Sequence, residues 1–489
     1  MLCTWLLTWL YRFRWVSCQL DALRQCFPQN LRQFLDELPE TLDETYERIL
    51  KSINRTQRDD ARRLLHCLAV AVRPLRVEEL AEILAFDFQA SSSGGIPTLK
   101  EDWRWDNQEE AILSTCPSLV TIVQGRVVQF SHFSVKEYLT SPRLARSPHG
   151  DVSWFHIDRY PAHTTMAQAC LGTLLRLDDN NRVANGPLVG YAARHWANHA
   201  QSEEASSRVQ DGMDRLFDSS KPYFAAWLRV YDIDERWDYF SCGLGGQGGP
   251  SRVGSPLYYA AFCGLRDLAE RLIIKHPEQV NARGGHILAP LPAALYKKHF
   301  GVADLLRRHG AVLNVRGLFK WTPLHTASLF GRADIVRWLL NNGADANSRT
   351  NTGSSWTPLH IAVHSMEVEP IPILLEHNAD INSQCSEGKT PLYEAISLFA
   401  SFPEGMVVDI VRQLLEHGAD TNILDHRHST VLHQASSRGW VEVARLLLQY
   451  GANVDVKDRK GRTPLQIAST EGYDSVTKLL LEHSAVPQL

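Results

Sequence analysis

The sequence predicts a mostly all-α chain: a helical N-terminal module carrying one β-hairpin, followed by a solenoid of stacked helix pairs. Three observations predict it. The tetrapeptide Thr-Pro-Leu-His at Thr322 to His325 returns at Thr357 to His360, and in altered form at Thr390 to Tyr393, Thr430 to His433 and Thr463 to Gln466. Upstream, apolar residues recur at helical spacing, interrupted by a single pair of alternating segments around a glycine turn. Between the two regions lies a Gly-rich stretch, Gly243 to Gly254.

At 489 residues the chain is too long for one core and is expected to divide. We expect a remnant of an upstream helix over 1–20, a winged-helix domain over 21–142, a helical connector over 143–242, a linker over 243–254 and about seven repeats over 255–489. The formal net charge of -4 draws the chain toward neither nucleic acid nor anionic lipid. Nine cysteines are scattered without a Cys-x-x-Cys pair, which fits reduced thiols in the cytoplasm or nucleus. The apolar run Met1 to Leu10 is shorter than the roughly 20 residues of a spanning helix, and Arg12 and Arg14 follow it rather than precede it. No membrane association is expected.

In the N-terminal module, Thr41 and Glu44 form a capping box for a helix over Leu42 to Ile53. Further helices are predicted over Ala61 to Val72, Val77 to Phe86 and Glu109 to Thr115. Leu119 to Val123 and Val127 to Phe130 alternate as strands about Gln124-Gly125. Helices followed by such a hairpin make a winged-helix layout.

Three stretches, Phe13 to Leu20, Leu38 to Leu42 with Tyr46, and Phe130 to Leu139, resemble fungal NACHT-ankyrin proteins of the STAND type, and the likeness extends through Tyr191 to Trp196. The resemblance implies a nucleotide-binding NACHT domain upstream of Phe13, then a winged helix, a connector and ankyrin repeats. It also places His132 where a winged-helix histidine contacts nucleotide in related ATPases. The phosphate-binding loop itself requires Gly-x-x-x-x-Gly-Lys-[Ser/Thr], so that backbone N–H groups cradle phosphate. The one Gly-Lys-Thr, Gly388 to Thr390, has Ser383 in place of the first Gly. Read through the resemblance, the chain is a NACHT-ankyrin protein without its ATPase core, in which His132 is a hydrogen-bonded structural residue.

The repeats follow a leucine register: Leu257, Leu291, Leu324, Leu359, Leu392, Leu432 and Leu465, separated by 34, 33, 35, 33, 40 and 33 residues. A period near 33 with Thr-Pro-Leu-His, a Gly, a Leu-Leu pair and Gly-Ala-Asp/Asn-x-Asn resembles the ankyrin family. Pro323 supplies the fixed φ of a first helical turn; Gly331 turns the chain into a second helix bearing Ile335, Val336, Leu339 and Leu340; Gly343 ends it. Such a pair buries its faces only by stacking on neighbours. The copy from Leu288 to Arg316 keeps Ala293, Ala294, Leu305 and Leu306 but lacks the Thr-Pro start, and the long spacing after Leu392 is an insertion over Ser397 to Val407.

No catalytic residues, cofactor or metal are expected. His195 and His199, four apart on a helix, have the spacing of two metal ligands but no third ligand nearby. Gly243, Gly245 and Gly248 spell a dinucleotide pattern without the required strand before or helix after. The wing-side helix carries Glu109 and Glu110 and no cation, which disfavours DNA. The expected activity is binding of a protein partner through the repeats. Leu318, Phe319 and Trp321, with Leu329 and Phe330 on the adjoining inner helix and Trp356 one repeat on, are read as an exposed apolar aromatic surface, the alternative being that some of these rings pack against the poorly matching repeat before them. Arg427, Arg438, Arg459, Lys460 and Arg462 are read as a basic stripe suited to an acidic partner segment.

Overall fold

The computed structural model describes residues 41–89, 95–177, 186–201, 203–231, 233, 253–285, 287–316, 321–351, 353–397 and 404–484. The expected N-terminal remnant, residues 243–252 of the linker, Leu318, Phe319 and residues 398–403 of the insertion lie outside them. The described residues form two compact units. One runs to residue 233 and includes Tyr259–His276; the other takes 253–258 and continues from Pro277. Among the described residues, no helix is long and apolar enough to cross a membrane.

In the first unit, Thr41 Oγ1 accepts the Glu44 N–H at 3.2 Å and Glu44 returns the bond at 3.4 Å, which starts the helix Leu42–Ser52. Helices Arg58–Val70, Val77–Leu84 and Gln108–Thr115 follow. The wing strands Val120–Val123 and Val127–Phe130 pair antiparallel, and Leu75–Arg76 adds a third strand with Leu75 opposite Val128. The sequence pattern carries the third helix to Phe86. Instead Phe86–Asp87 pairs with Thr98–Leu99 as a second small sheet, because the ring of Phe86, only 1% exposed, is worth more in the core than on a frayed helix end.

The long helix Arg159–Leu174 packs on Val189–Ala200, which carries the Tyr191 to Trp196 segment. Each end of that segment has a packing reason. Tyr191 Oη accepts the Val72 N–H at 3.1 Å and lies 2.9 Å from His199 Nε2, while the Arg73 guanidinium sits 5.0 Å above its ring. Trp196 packs edge-on against Phe217 and Trp227, and Trp227 Nε1 donates to the Ala193 carbonyl at 2.9 Å. Tyr259 packs on Phe224 and Trp227, Gln201 donates to the Cys263 carbonyl, and Arg271 pairs with Asp214 at 2.8 Å. These contacts draw 259–276 into the first unit, where the repeat spacing assigns it to the solenoid.

Among the described residues, seven helix pairs follow the repeat spacing, from Pro256–Phe262 with Arg266–Lys275 to Pro464–Thr470 with Asp474–Ser484; the six from Pro290–Tyr296 onward lie in the second unit. The reason for the Thr-Pro-Leu-His spelling is visible in the hydrogen bonds. In the third, fourth and sixth repeats, Nδ1 of His325, His360 and His433 accepts the backbone N–H of Thr322, Thr357 and Thr430 at 3.2, 3.3 and 3.1 Å. The ring proton is therefore on Nε2, which donates to the carbonyl of Trp356, Lys389 or Arg462 in the next repeat, at 3.2, 3.1 and 3.2 Å. One imidazole thus caps its own helix and ties two repeats together. Burial keeps these rings neutral, pushing His325 and His360 down to about 4.

The closing Asn of the motif is a second tie. Asn347 donates to the Asn378 carbonyl at 3.0 Å and accepts the Asp380 N–H at 2.7 Å; Asn422 does the same with Gly451 and Asn453. In the fifth repeat Tyr393 replaces the histidine, and its hydroxyl donates to Asp425 Oδ2 of the sixth at 2.9 Å. The second helix of the fifth repeat starts already at Glu404 and runs to Glu416, so the insertion is partly helical.

Candidate interaction edge

The hairpins between repeats form a ladder. Ser386 N–H donates to the Ser354 carbonyl, His426 N–H to Glu387 and Arg459 N–H to Arg427, each at 3.0 Å. Close approach explains Gly388. It has φ +78°, and a Cβ there would lie 2.9 Å from the His426 nitrogen of the next hairpin. The Gly-Lys-Thr segment is therefore part of this ladder, with Lys389 paired to Glu387 at 2.7 Å.

The sixth and seventh hairpins share one construction that the sequence reading misses. Asp425 Oδ1 accepts the N–H groups of Arg427 and Ser429, both at 2.8 Å. Asp458 Oδ1 accepts those of Lys460 and Arg462, both at 2.8 Å. Each aspartate stands five residues before its repeat's threonine, Thr430 and Thr463, a spacing that would have revealed the pair. Against the upward push of burial, the Arg462 and Lys460 amides and the Arg462 guanidinium hold the Asp458 carboxyl below its ordinary value.

This construction divides the expected basic stripe. Arg462 is committed to Asp458 Oδ2 through two bonds of 3.1 and 2.9 Å. Arg438 is at the end of the helix Val431–Arg438, not on a tip; it donates to the Ser397 carbonyl and lies over the Trp440 ring at 5.2 Å. Both are structural, because a half-buried guanidinium gains more from fixed acceptors than from water. Arg427, Arg459 and Lys460 are exposed, and among the described residues they have no ion pair.

The aromatic surface also changes. Trp321, Leu329, Phe330 and Trp356 are half-buried rather than exposed. The Trp356 ring lies 4.5 Å from the His364 imidazole of its own first helix, and Trp321 lies 6.3 Å from His325. Tilted packing beside these imidazoles removes ring area from water, which open tips would not do.

Elsewhere, His132 caps the helix Phe133–Leu139. Its Nδ1 accepts the Ser134 N–H at 3.3 Å and the Ser134 hydroxyl at 2.6 Å, and Tyr46 Oη donates in turn to Ser134 at 2.8 Å. His199 hydrogen-bonds His163, Nδ1 to Nδ1 at 2.9 Å, and burial, helped by the neighbouring His163 and His195, pushes it down to about 3. Among the described residues, no group of three or more potential ligands could hold a metal ion. The wing's Arg126 pairs with Glu78 and Glu109.

Comparison with known proteins gives independent matches for both halves. The GPI inositol-deacylase winged-helix domain model matches residues 46–147, and ankyrin-repeat models match 306–362, 354–386 and 398–489. A Monascus ruber relative, "Azaphilone pigments biosynthesis cluster protein L", is 32% identical over 330 residues, 62% of this chain and 66% of the relative. Human "Protein phosphatase 1 regulatory subunit 27" is 39% identical over 66 residues, 14% of this chain and 43% of that protein. The chain thus spans just under two thirds of the first relative and less of the second. The ankyrin repeat domain of Bcl-3, of the IkappaB family, aligns with a TM-score of 0.42 and 28% identity, covering 47% of this chain and 98% of that domain. Ankyrin repeats and a winged-helix domain of the GPI inositol-deacylase type, which is NACHT-related, are present in this chain.

Proposed function

We propose that the protein is a non-catalytic binding protein of the cytoplasm or nucleus that captures a protein partner on the hairpin edge of its ankyrin stack. The observation that carries this reading is how the repeat residues are used. The recurring Thr, His, Asn and Leu positions are consumed by capping, ties and packing, whereas Arg427, Arg459 and Lys460 stand exposed on tips whose backbone is already fixed. A surface fixed in advance binds without a large ordering cost. The chemistry of the remaining reactive groups supports a non-catalytic role. The described cysteines are all buried, with the Cys67 thiol pushed up to about 12 by burial, and His199 is buried and bonded on both ring nitrogens.

Selection of displayed random peptides on the full chain tests the reading. Enriched peptides should lose binding when hairpin tips are substituted; ligands indifferent to every tip and first-helix substitution would overturn it. A second reading, which rests on the resemblance of the sequence alone, is a regulatory fragment or subunit of a NACHT-type nucleotide-dependent protein of non-self recognition, with the nucleotide site supplied elsewhere.

A further inference from the structure

We infer that the tips of the sixth and seventh hairpins form a docking edge for an acidic, unphosphorylated peptide segment of the partner. This rests on the protein-binding reading above and adds the chemistry of what is bound. Asp425 and Asp458 each clamp two backbone N–H groups, so both tips are held rigid. Arg459 N–H bonds the Arg427 carbonyl at 3.0 Å, which fixes the two tips side by side and brings Arg427, Arg459 and Lys460 onto one edge. None of these three cations has an ion pair among the described residues, while the cations beside them, Lys389 and Arg462, are paired with Glu387 and Asp458.

The positive edge is local. The chain as a whole carries 55 acidic against 51 basic residues, yet the first helices of these two repeats, Val431–Arg438 and Pro464–Thr470, contain no acidic residue. A carboxylate-bearing segment crossing the tips therefore meets three exposed cations without an ion pair, of which only Arg427 feels the charge of Glu387, and no carboxylate from either first helix. Nucleic acid fits less well. Its binding relies on a run of phosphate contacts, and this edge supplies three cations before Glu387 introduces a carboxylate on the adjoining hairpin.

The test measures fluorescence anisotropy of a short fluorescein-labelled glutamate-rich peptide titrated with the full chain. The same peptide with Gln for every Glu, a phosphoserine version and a short single-stranded DNA serve as comparisons. The glutamate peptide should bind saturably, weaken with salt, and lose affinity by about tenfold or more in Arg427→Glu/Arg459→Glu/Lys460→Glu. The neutral variant Arg427→Gln/Arg459→Gln/Lys460→Gln should lose affinity too, and decides the matter where charge reversal impairs folding. Equal binding of the Gln peptide, or unchanged affinity in the neutral variant, overturns the inference. Tighter binding of DNA or of the phosphopeptide overturns it in favour of a phosphate ligand. Display-selected ligands that need the stack but lack acidic residues would leave the protein-binding reading standing and remove this one.

Discussion

Replacing Gly439 by alanine tests the packing of the last two repeats, because the two costs it incurs are separable. Gly439 ends the helix Val431–Arg438 at φ +69°, and an added Cβ would lie 2.7 and 2.8 Å from Cε1 and Cγ of Tyr473 in the next repeat, and closer still to its Cδ1. The left-handed backbone alone costs alanine about 1 kcal/mol. The ring must also move. Tyr473 is 37% exposed, so displacing it returns part of its covered face to water, roughly 1–2 kcal/mol at the usual area coefficient. Together these give about 2–3 kcal/mol, and more for Gly439→Val, whose branched side chain is stiffer. Gly451 is the control: its φ is +83° and nothing lies within 4 Å of the position a methyl group would take, so Gly451→Ala should cost only the backbone part, about 1 kcal/mol. Because a chain of two units and stacked repeats need not unfold in one step, native-state hydrogen exchange in Val431–Arg438 and Val441–Gln449 is the suitable readout. In the Tyr473→Ala background, the extra cost of Gly439→Ala should shrink to that of Gly451→Ala. Equal losses for Gly439→Ala and Gly451→Ala in the parent protein would refute the steric argument.

The neutral imidazoles make the stack sensitive to acid. His325 and His360 are held near 4 when folded against an ordinary 6.5, so their contribution is fully present above pH 6.5 and is lost as pH falls toward 4, on the order of 2 kcal/mol each by pH 5. His360→Gln should flatten that dependence while keeping the cap, as Gln466 does by accepting the Thr463 N–H at 2.9 Å; an unchanged pH profile would count against it. Tyr393→Phe removes the hydroxyl that donates to buried Asp425 and should cost about 1–3 kcal/mol in urea unfolding, a neutral result indicating that the carboxylate finds another donor. His132→Ala should lower the stability of the first unit by about 1 kcal/mol through loss of a helix cap, with no heat of Mg-ATP binding in either protein; saturable ATP binding lost in the variant would return His132 to a nucleotide role.

The solenoid was legible in the sequence because ankyrin repeats are held by short-range devices. The Thr-Pro start, the N3 histidine and the closing Asn act within one repeat or on the next, so a period near 33 carries the information. The capping box of Thr41 and Glu44 and the wing hairpin about Gly125 are local for the same reason. What the sequence could not show was where each side chain spends its bonds. Arg427 and Arg462 look alike in a basic stripe, yet one is exposed and the other is bound to Asp458, and Trp356 reads as part of an exposed aromatic surface although its ring lies beside His364. Phe86 left its helix for a strand partner at Leu99, and His199 chose His163 over its sequence neighbour His195. Those outcomes depend on which groups the fold brings within hydrogen-bond reach and how far it removes them from water, and periodicity along the chain carries no record of either.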